Sequence, residues 1–203
     1  MYFVEGEEKN LIHGVVVGIV TDNKDPEQMG RAKINFPWRD SNDESNWARI
    51  ATFMGGKDRG AYFLPEVGDE VLVSFEHGNI EQPYIIGALW NGQDMPPETN
   101  CDGKNNKRLI KSRSGHKIIF DDSPGKEKVE IITNAGHTIV LDDSSGGEKV
   151  EIKDKTGSNS IVIDSVQNSL SIKSQMKISV EAQMIEIKAA AALNLQGGIV
   201  KIN

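Results

Sequence analysis

The sequence has little cysteine and no long apolar run. These two features exclude a fold held by disulfides within one chain and a segment that spans a membrane. Cys101 is the single cysteine, so no disulfide can form within one chain. The longest apolar stretch, around Val15–Val20, is far too short to cross a bilayer. The first eight residues are acidic and lack a basic segment followed by an apolar core, so the sequence predicts no secretory signal.

Basic charge is also scarce. The net charge is −7, and residues 11–90 carry seven Lys and Arg against twelve Asp and Glu. A groove that binds nucleic acid needs positive charge along the phosphate backbone. We therefore predict no nucleic-acid partner. Trp38, Trp47 and Trp90 are assigned to a core or a subunit contact rather than to base stacking.

A short pattern is repeated along residues 107–203. Gly115–Gly125 and Gly136–Gly146 are near copies about twenty residues apart, and a looser copy begins at Gly157. Each copy holds two cores of the form apolar-x-apolar, whose outer side chains share one face of a strand. The cores are Ile118/Phe120, Val129/Ile131, Ile139/Leu141, Val150/Ile152, Ile161/Ile163 and Leu170/Ile172. This spacing predicts a solenoid-like β architecture.

The pattern continues toward the C-terminus with shorter connections. The later cores are Ile178/Val180, Ile185/Ile187, Leu193/Leu195 and Val200/Ile202, seven or eight residues apart where the early cores are ten or eleven apart. One chain offers only a narrow apolar ridge, which it cannot easily bury alone. We therefore predict that residues 107–203 wind with two further copies into an intertwined trimeric β-helix, which shares one core and removes free strand edges.

Residues 11–92 have a different organisation. They read as five or six strands with no helical period, which predicts an OB-fold barrel. The predicted strands are Leu11–Thr21, Arg31–Phe36, Asn46–Met54, Ala61–Leu64, Glu70–Glu76 and Tyr84–Trp90. Residues 1–10 are predicted to form an N-terminal arm, and residues 93–106, rich in Pro, Asn, Gly and Asp, a linker. The predicted fold class is all-β throughout.

Four segments of the barrel carry a resemblance to a known family. Gly30–Trp38, Trp47–Ile50, Phe63–Gly78 and Pro83–Gly92 resemble the OB domain of VgrG and phage baseplate spike proteins. The repeat behind them resembles the triple-stranded β-helix of that family. About ten residues precede the barrel, where the family carries a large hub domain. The chain is therefore expected to be either a separate small spike subunit or a piece of a longer one.

The resemblance implies a function and a set of partners. It implies a homotrimeric spike that punctures a target membrane at the tip of a contractile injection machine. The machine is a type VI secretion system, a phage tail or an extracellular injection particle. A hub or tube protein is expected at the barrel end, and a PAAR-type cap or an effector at the C-terminal tip. The protein is expected to assemble in the cytoplasm and to be exported as part of the apparatus.

The sequence predicts no catalytic, cofactor-binding or metal site. Asp121-Asp122-Ser123 and Asp142-Asp143-Ser144 lack calcium-loop spacing and are interpreted as turns. His116 and His137 share parity with the cores that follow them. In a trimer they either form two axial rings able to hold an ion, or bend to the wall at Gly115 and Gly136. The alternative function is a carbohydrate-binding or carbohydrate-active β-helix protein, although no carboxylate pair at glycosidase separation supports it.

Overall fold

The computed structural model describes residues 11–39 and 43–201, and these confirm the predicted all-β class. The described residues form fourteen strands and one short 3-10 turn, Glu76–Gly78, with no α-helix. In this part of the chain no helix has the length and hydropathy needed to cross a bilayer. The predicted N-terminal arm, residues 1–10, lies outside the described residues. The chain divides into two units, residues 1–96 and residues 97–203.

The first unit is built round a five-stranded sheet. Its strands are β1 (Val15–Asp22), β2 (Lys33–Asn35), β3 (Arg49–Ile50), β4 (Gly55–Gly56), β5 (Arg59–Gly60), β6 (Glu70–Phe75) and β7 (Pro83–Ala88). The sheet order is β2-β1-β6-β7-β3, while β4 and β5 pair separately as a two-residue ladder. Neighbouring strands are antiparallel except β3 and β7, which are parallel.

The alternation of residues along each strand determines which side chains form the hydrophobic core of this unit. The sequence predicts that Val71, Val73 and Phe75 share one side of a strand, and all three are buried while their neighbours on β6 are half-buried. The same alternation places Ala32, Ile34 and Phe36 on one face of the predicted strand Arg31–Phe36, and these three are buried as well. The remaining members of this core are Val20, Ala48 and Ile85.

Two strand predictions in this unit are wrong. The predicted strand Asn46–Met54 is reduced to Arg49–Ile50, and Ala61–Leu64 forms no strand. Tyr62 and Phe63 are mostly exposed. Apolar content therefore overestimated regular structure in these two segments, because a strand also needs a neighbouring backbone to pair with.

The second unit holds a seven-stranded antiparallel meander. Its strands are β8 (Lys107–Lys111), β9 (Lys117–Asp121), β10 (Lys128–Ile132), β11 (Thr138–Asp142), β12 (Lys149–Lys153), β13 (Ser160–Asp164) and β14 (Ser169–Lys173). Each strand pairs only with those before and after it in sequence, so the sheet order is β14 to β8 without a crossover. The first six predicted cores all lie on these strands.

Beyond Lys173 the described residues contain no further strand within the single chain. The predicted cores Ile178/Val180, Ile185/Ile187 and Leu193/Leu195 lie in this segment, and Ile202 of the last core lies outside the described residues. At the other end of the unit, the predicted linker is ordered by its own turn. The side-chain oxygen of Asn100 accepts a hydrogen bond of 2.6 Å from the backbone of Asn105.

Candidate functional site: the apolar face of the repeat sheet

The strand register aligns the apolar cores into two continuous rows across one face of the second sheet, here called the apolar face. The first row consists of Ile110, Ile118, Ile131, Ile139, Ile152, Ile161 and Ile172, each directly opposite the next on the neighbouring strand. The second row begins at Arg108 and continues as Phe120, Val129, Leu141, Val150, Ile163 and Leu170. Cross-strand pairs of this kind support each other laterally.

The apolar face is uncovered in the single chain. Twelve of its side chains are between 36% and 64% exposed, and Val129 is half-buried. Every buried hydrophobic residue of the described chain belongs to the first unit. A groove of about 450 Å³ lies on the apolar face, lined in part by Ile139, Ile152 and Ile172. Monomeric soluble proteins rarely expose an apolar surface this continuous, so the face is a candidate interaction surface.

The opposite face of the same sheet carries most of the charged side chains of the strands, together with some apolar ones. One row alternates Lys and Asp across six strands: Lys107, Asp121, Lys128, Asp142, Lys149 and Asp164. In the central row, Glu130 and Glu151 alternate with the half-buried Ile119, Val140 and Val162. The two carboxylates lie 3.0 Å from Lys128 Nζ and 2.9 Å from Lys153 Nζ. This face is therefore suited to water, and the apolar face to a dry contact.

The two Asp-Asp-Ser segments form the turns predicted for them. The carboxylate of Asp121 accepts hydrogen bonds from the hydroxyl and backbone of Ser123, and Asp142 does the same for Ser144. The serine hydroxyls lower the pKa of both carboxyls, and the lysines opposite them add to the effect. Within the described residues, no group of three or more His, Cys, Asp or Glu side chains could hold a metal ion.

His116 and His137 lie in the turns at the strand ends opposite the Asp-Asp-Ser turns, and each connects its own turn to the next one on that side. The backbone N–H of Asn134 donates to Nδ1 of His116, and that of Lys155 donates to Nδ1 of His137, both at 3.2 Å. In turn, the backbone of His137 donates to the Thr133 hydroxyl. One imidazole nitrogen of each histidine therefore has a structural role within one chain.

The third turn uses Asn159 where the first two use histidine. Its side-chain oxygen accepts a hydrogen bond from the backbone of Gln175 at 3.2 Å. The turn is organised by Asp154, whose pKa is lowered to about 2 chiefly by the Thr156 hydroxyl and next by the backbone N–H of Asn159. The sequence analysis missed this role, because this turn is one residue longer than the histidine turns. Aligning Asn159 with His137 would have revealed it.

The remaining sequence candidates do not come together. Cys101 is exposed. Trp38 and Trp90 are also exposed, at 53% and 70%, so the core role considered for them is wrong, while Trp47 is half-buried. Arg39 lies over the Trp38 ring at 5.9 Å. The subunit-contact role of these tryptophans stays a prediction.

A forked ion pair fixes the loop between β1 and β2 of the first unit. Asp25 receives Arg31 Nε at 2.9 Å and Nη2 at 2.8 Å, together with backbone N–H groups of Glu27 and Met29. The Asp25 side chain is only 3% exposed. The Arg31 guanidinium holds the pKa of Asp25 well below its usual range. No motif in the sequence signals this pair, because its partners are an ordinary Asp and Arg six residues apart.

Comparison with known sequences identifies the first unit. Residues 16–90 match the family described as the type VI secretion system/phage-baseplate injector OB domain. This part of the chain is therefore similar to an injector OB domain. The predicted barrel class and the family resemblance are thereby confirmed for the segment that contains the five-stranded sheet.

Individual relatives extend the likeness beyond the OB domain. The type VI secretion system spike protein VgrG1a of Pseudomonas aeruginosa is 32% identical over 129 residues, covering 58% of this chain and 20% of the relative. VgrG3 of Vibrio cholerae, also named a spike protein, is 31% identical over 51% of this chain and 11% of its own. The actin cross-linking toxin VgrG1 of Vibrio cholerae is 28% identical over 62% of this chain and 12% of its own. The matched region is VgrG-like, although this chain spans only 11% to 20% of the length of these relatives.

Proposed function

We propose that this chain is a structural spike of a contractile injection system, assembled from three copies. The injector OB domain forms the platform, and the repeat of each copy contributes its apolar face to a shared core. The likeness to type VI spike proteins and to the phage-baseplate OB domain supports this class of machine.

The observation that carries the proposal is the uncovered apolar face. Its two rows run through all seven strands, and the chain offers no second layer to cover them in the described residues. Each half-exposed side chain that becomes buried contributes about 1 kcal/mol or more, so a shared core stabilises an assembly strongly. Three faces closed round one axis also leave the Lys–Asp row in water.

The mechanical role follows from that arrangement. A prism whose strands share a dry core resists bending, because interiors pack as densely as organic crystals. Sheath contraction would drive such a needle into a target membrane. We further propose a hub or tube protein as the partner of the OB domain, and a PAAR-type cap or an effector as the partner of the tip. The protein would assemble in the cytoplasm and leave the cell within the apparatus.

A catalytic activity is not part of the proposal. Two of the relatives are named spike proteins and one is named an actin cross-linking toxin, and this chain spans only 11% to 20% of each of them. No group of side chains suited to catalysis was found in the sequence. The residues of this chain would thus serve assembly and penetration rather than a reaction.

Light scattering of the purified full chain, with an SDS gel of unheated sample, tests the proposal. A species of three times the 22.3 kDa chain mass that resists SDS is expected. A monodisperse monomer would refute the spike, and glycan binding by that monomer would favour the carbohydrate-binding alternative.

A further inference from the structure

Polar residues border the apolar face on both sides, and the two margins differ in chemistry. Strands β9, β11 and β13 each have one polar residue directly before and one directly after the strand, with the same parity as the apolar core. The residues before are His116, His137 and Asn159, here called the histidine margin, and those after are Asp122, Asp143 and Ser165, here called the carboxylate margin.

Equivalent hydrogen bonds show that each set of three residues occupies one structural position. The carbonyl of each histidine-margin residue accepts the backbone N–H of the first residue of its own turn, and the N–H of each carboxylate-margin residue donates to the residue before the neighbouring strand. In β13 both positions differ from the earlier copies, with Asn159 in place of His and Ser165 in place of Asp. The two residues are therefore present together and lost together, which is what a contact between them predicts.

Only one nitrogen of each imidazole is used within the chain. A backbone N–H can only donate, so Nδ1 of His137, which accepts the N–H of Lys155 at 3.2 Å, carries no proton. The proton of the neutral ring is then on Nε2, and the described residues provide no acceptor for it. His116 has the same geometry through Asn134. The histidine margin therefore offers N–H donors that lack an acceptor.

Asp143 is the complementary group on the carboxylate margin. The residue is exposed, and its carboxylate makes no hydrogen bond or ion pair with another described residue. The equivalent Asp122 is paired with Arg108 Nη1 at 2.5 Å. Val129 takes the place of Arg108 beside Asp143, so this carboxylate has no cation next to it on the apolar face.

Closing three copies of the sheet round one axis would bring unlike margins together. A rotation that relates identical copies joins one side of each copy to the opposite side of the next, so the contact is head to tail. His137 and Asp143 stand at the two ends of the same strand, β11. They therefore meet at the same height when the strands run across the axis.

The two sides of the sheet also carry opposite net charge. The turns and strand ends of the histidine side are residues 111–117, 132–138, 153–160 and 173, and those of the carboxylate side are residues 107, 121–128, 142–149 and 164–169. The first set has six Lys and Arg against one Asp, and the second has seven Asp and Glu against four Lys. Opposite charge on two surfaces favours their contact and suppresses the contact of like sides.

We propose that Nε2 of His137 donates a hydrogen bond to the Asp143 carboxylate of the next copy, so that the two margins form the seams between three copies. The proposal rests on the proposed trimer and names a contact that joins its subunits at the rim of the shared core. A carboxylate acceptor makes such a bond shorter and stronger than one between neutral groups. His116 and Asp122 form the equivalent seam contact, in which Arg108 shares the carboxylate.

Disulfide trapping tests the seam directly. In a Cys101→Ser background, the double variant His137→Cys/Asp143→Cys should form a covalently closed trimer on oxidation, whereas each single variant should leave separate chains. No link can form within one chain, because β11 holds the two positions at its opposite ends, far beyond the reach of a disulfide.

Two results of the trapping would overturn the seam. Linking by His137→Cys alone would place this residue on the axis, and a trimeric double variant that forms no link would show that the margins do not meet. Both results leave the spike proposal standing, whereas a monomeric wild type would overturn the spike and the seam together.

A second pair of variants tests the hydrogen bond without new thiols. Asn places its side-chain oxygen where the imidazole has Nδ1, and Gln places its amide nitrogen where the imidazole has Nε2. His137→Asn therefore keeps the turn contact to Lys155 and loses the seam donor, whereas His137→Gln keeps the seam donor. Subunit exchange between trimers should be at least about 10-fold faster for His137→Asn and stay near the wild-type rate for His137→Gln. Equal rates for His137→Asn and the wild type would contradict the seam contact.

Discussion

Both units of the chain are built from strands in which apolar and polar residues alternate. They differ in whether the single chain buries the apolar side chains. In the first unit, β1 pairs with both β2 and β6, so distant segments return to one sheet, and nine of its described hydrophobic residues are buried. In the second unit every strand pairs only with its sequence neighbours, and none of its described hydrophobic residues is buried. Alternation fixes which side chains share a face, whereas the long-range pairing decides whether the same chain covers that face.

This contrast predicts that a charge on the apolar face destroys assembly and leaves the first unit intact. Ile172 and Ser171 are adjacent on β14, both exposed in the single chain and on opposite faces. In the trimer, Ile172→Asp would bury an unpaired carboxylate, so dissociation should be at least about 100-fold easier. Ser171→Asp is the control and should leave the trimer unchanged. Sedimentation velocity measures both, and equal behaviour of the two variants would argue against the shared core.

A second prediction concerns a substitution that disrupts the core of the first unit and leaves the apolar face of the second unit unchanged. A Cβ added at Gly18 on β1 would lie 2.3 Å from Cγ2 of the buried Ile34, while one added at Gly87 on β7 would meet nothing within 4 Å. Gly18→Ala should therefore cost about 1–3 kcal/mol of OB-domain stability, and Gly87→Ala about 0.5 kcal/mol or less.

Tryptophan fluorescence reports this loss selectively, because Trp38, Trp47 and Trp90 all lie in the first unit. The trimer mass should be the same for Gly18→Ala and the wild type. If Gly18→Ala changed the mass and spared the fluorescence midpoint, the two units would not have independent cores.

The histidine turns distinguish a structural role from an ion-binding one. His137→Ala removes the acceptor of the Lys155 backbone N–H and should cost the repeat about 0.5–1.5 kcal/mol. His137→Asn should restore part of this, because Asn159 fills the same role in the next turn. Thermal unfolding followed by circular dichroism measures both, and metal analysis of the wild type and a His116→Ala/His137→Ala variant accompanies it. Bound metal in the wild type alone would favour the axial rings.

Acid should weaken each unit through a different carboxylate. The folded-state pKa values of Asp25 and Asp154 lie below the ordinary 3.8, that of Asp154 at about 2. Their contribution to stability is therefore complete above about pH 4 and is lost as the pH falls toward 2. Asp25→Asn should flatten this loss in tryptophan fluorescence, whereas Asp154→Asn should leave the fluorescence curve as in the wild type. If Asp154→Asn changed the fluorescence curve and Asp25→Asn did not, the result would contradict the view that each carboxylate stabilises only its own unit.

The pattern of apolar and polar residues predicted most of the strands and turns, because these features depend on residues that are close together in sequence. Val71, Val73 and Phe75 follow from period two, and the Asp121 and Asp142 turns follow from short polar side chains that bind their own backbone. The short apolar run Ala61–Leu64 was wrongly predicted to be a strand, since a run of apolar residues carries no information about a pairing partner. The Asp25–Arg31 ion pair could not be predicted from the sequence for a related reason. It depends on the conformation of a loop and not on a repeated spacing of residues.

The most direct test of the account is sedimentation equilibrium of the full chain over a wide concentration range. The account predicts a single species of three chain masses, each of 22.3 kDa, whose apolar faces do not bind a hydrophobic dye. A species of one chain mass with no dye-binding surface would mean that the repeat covers its own apolar face, and it would contradict the central claim.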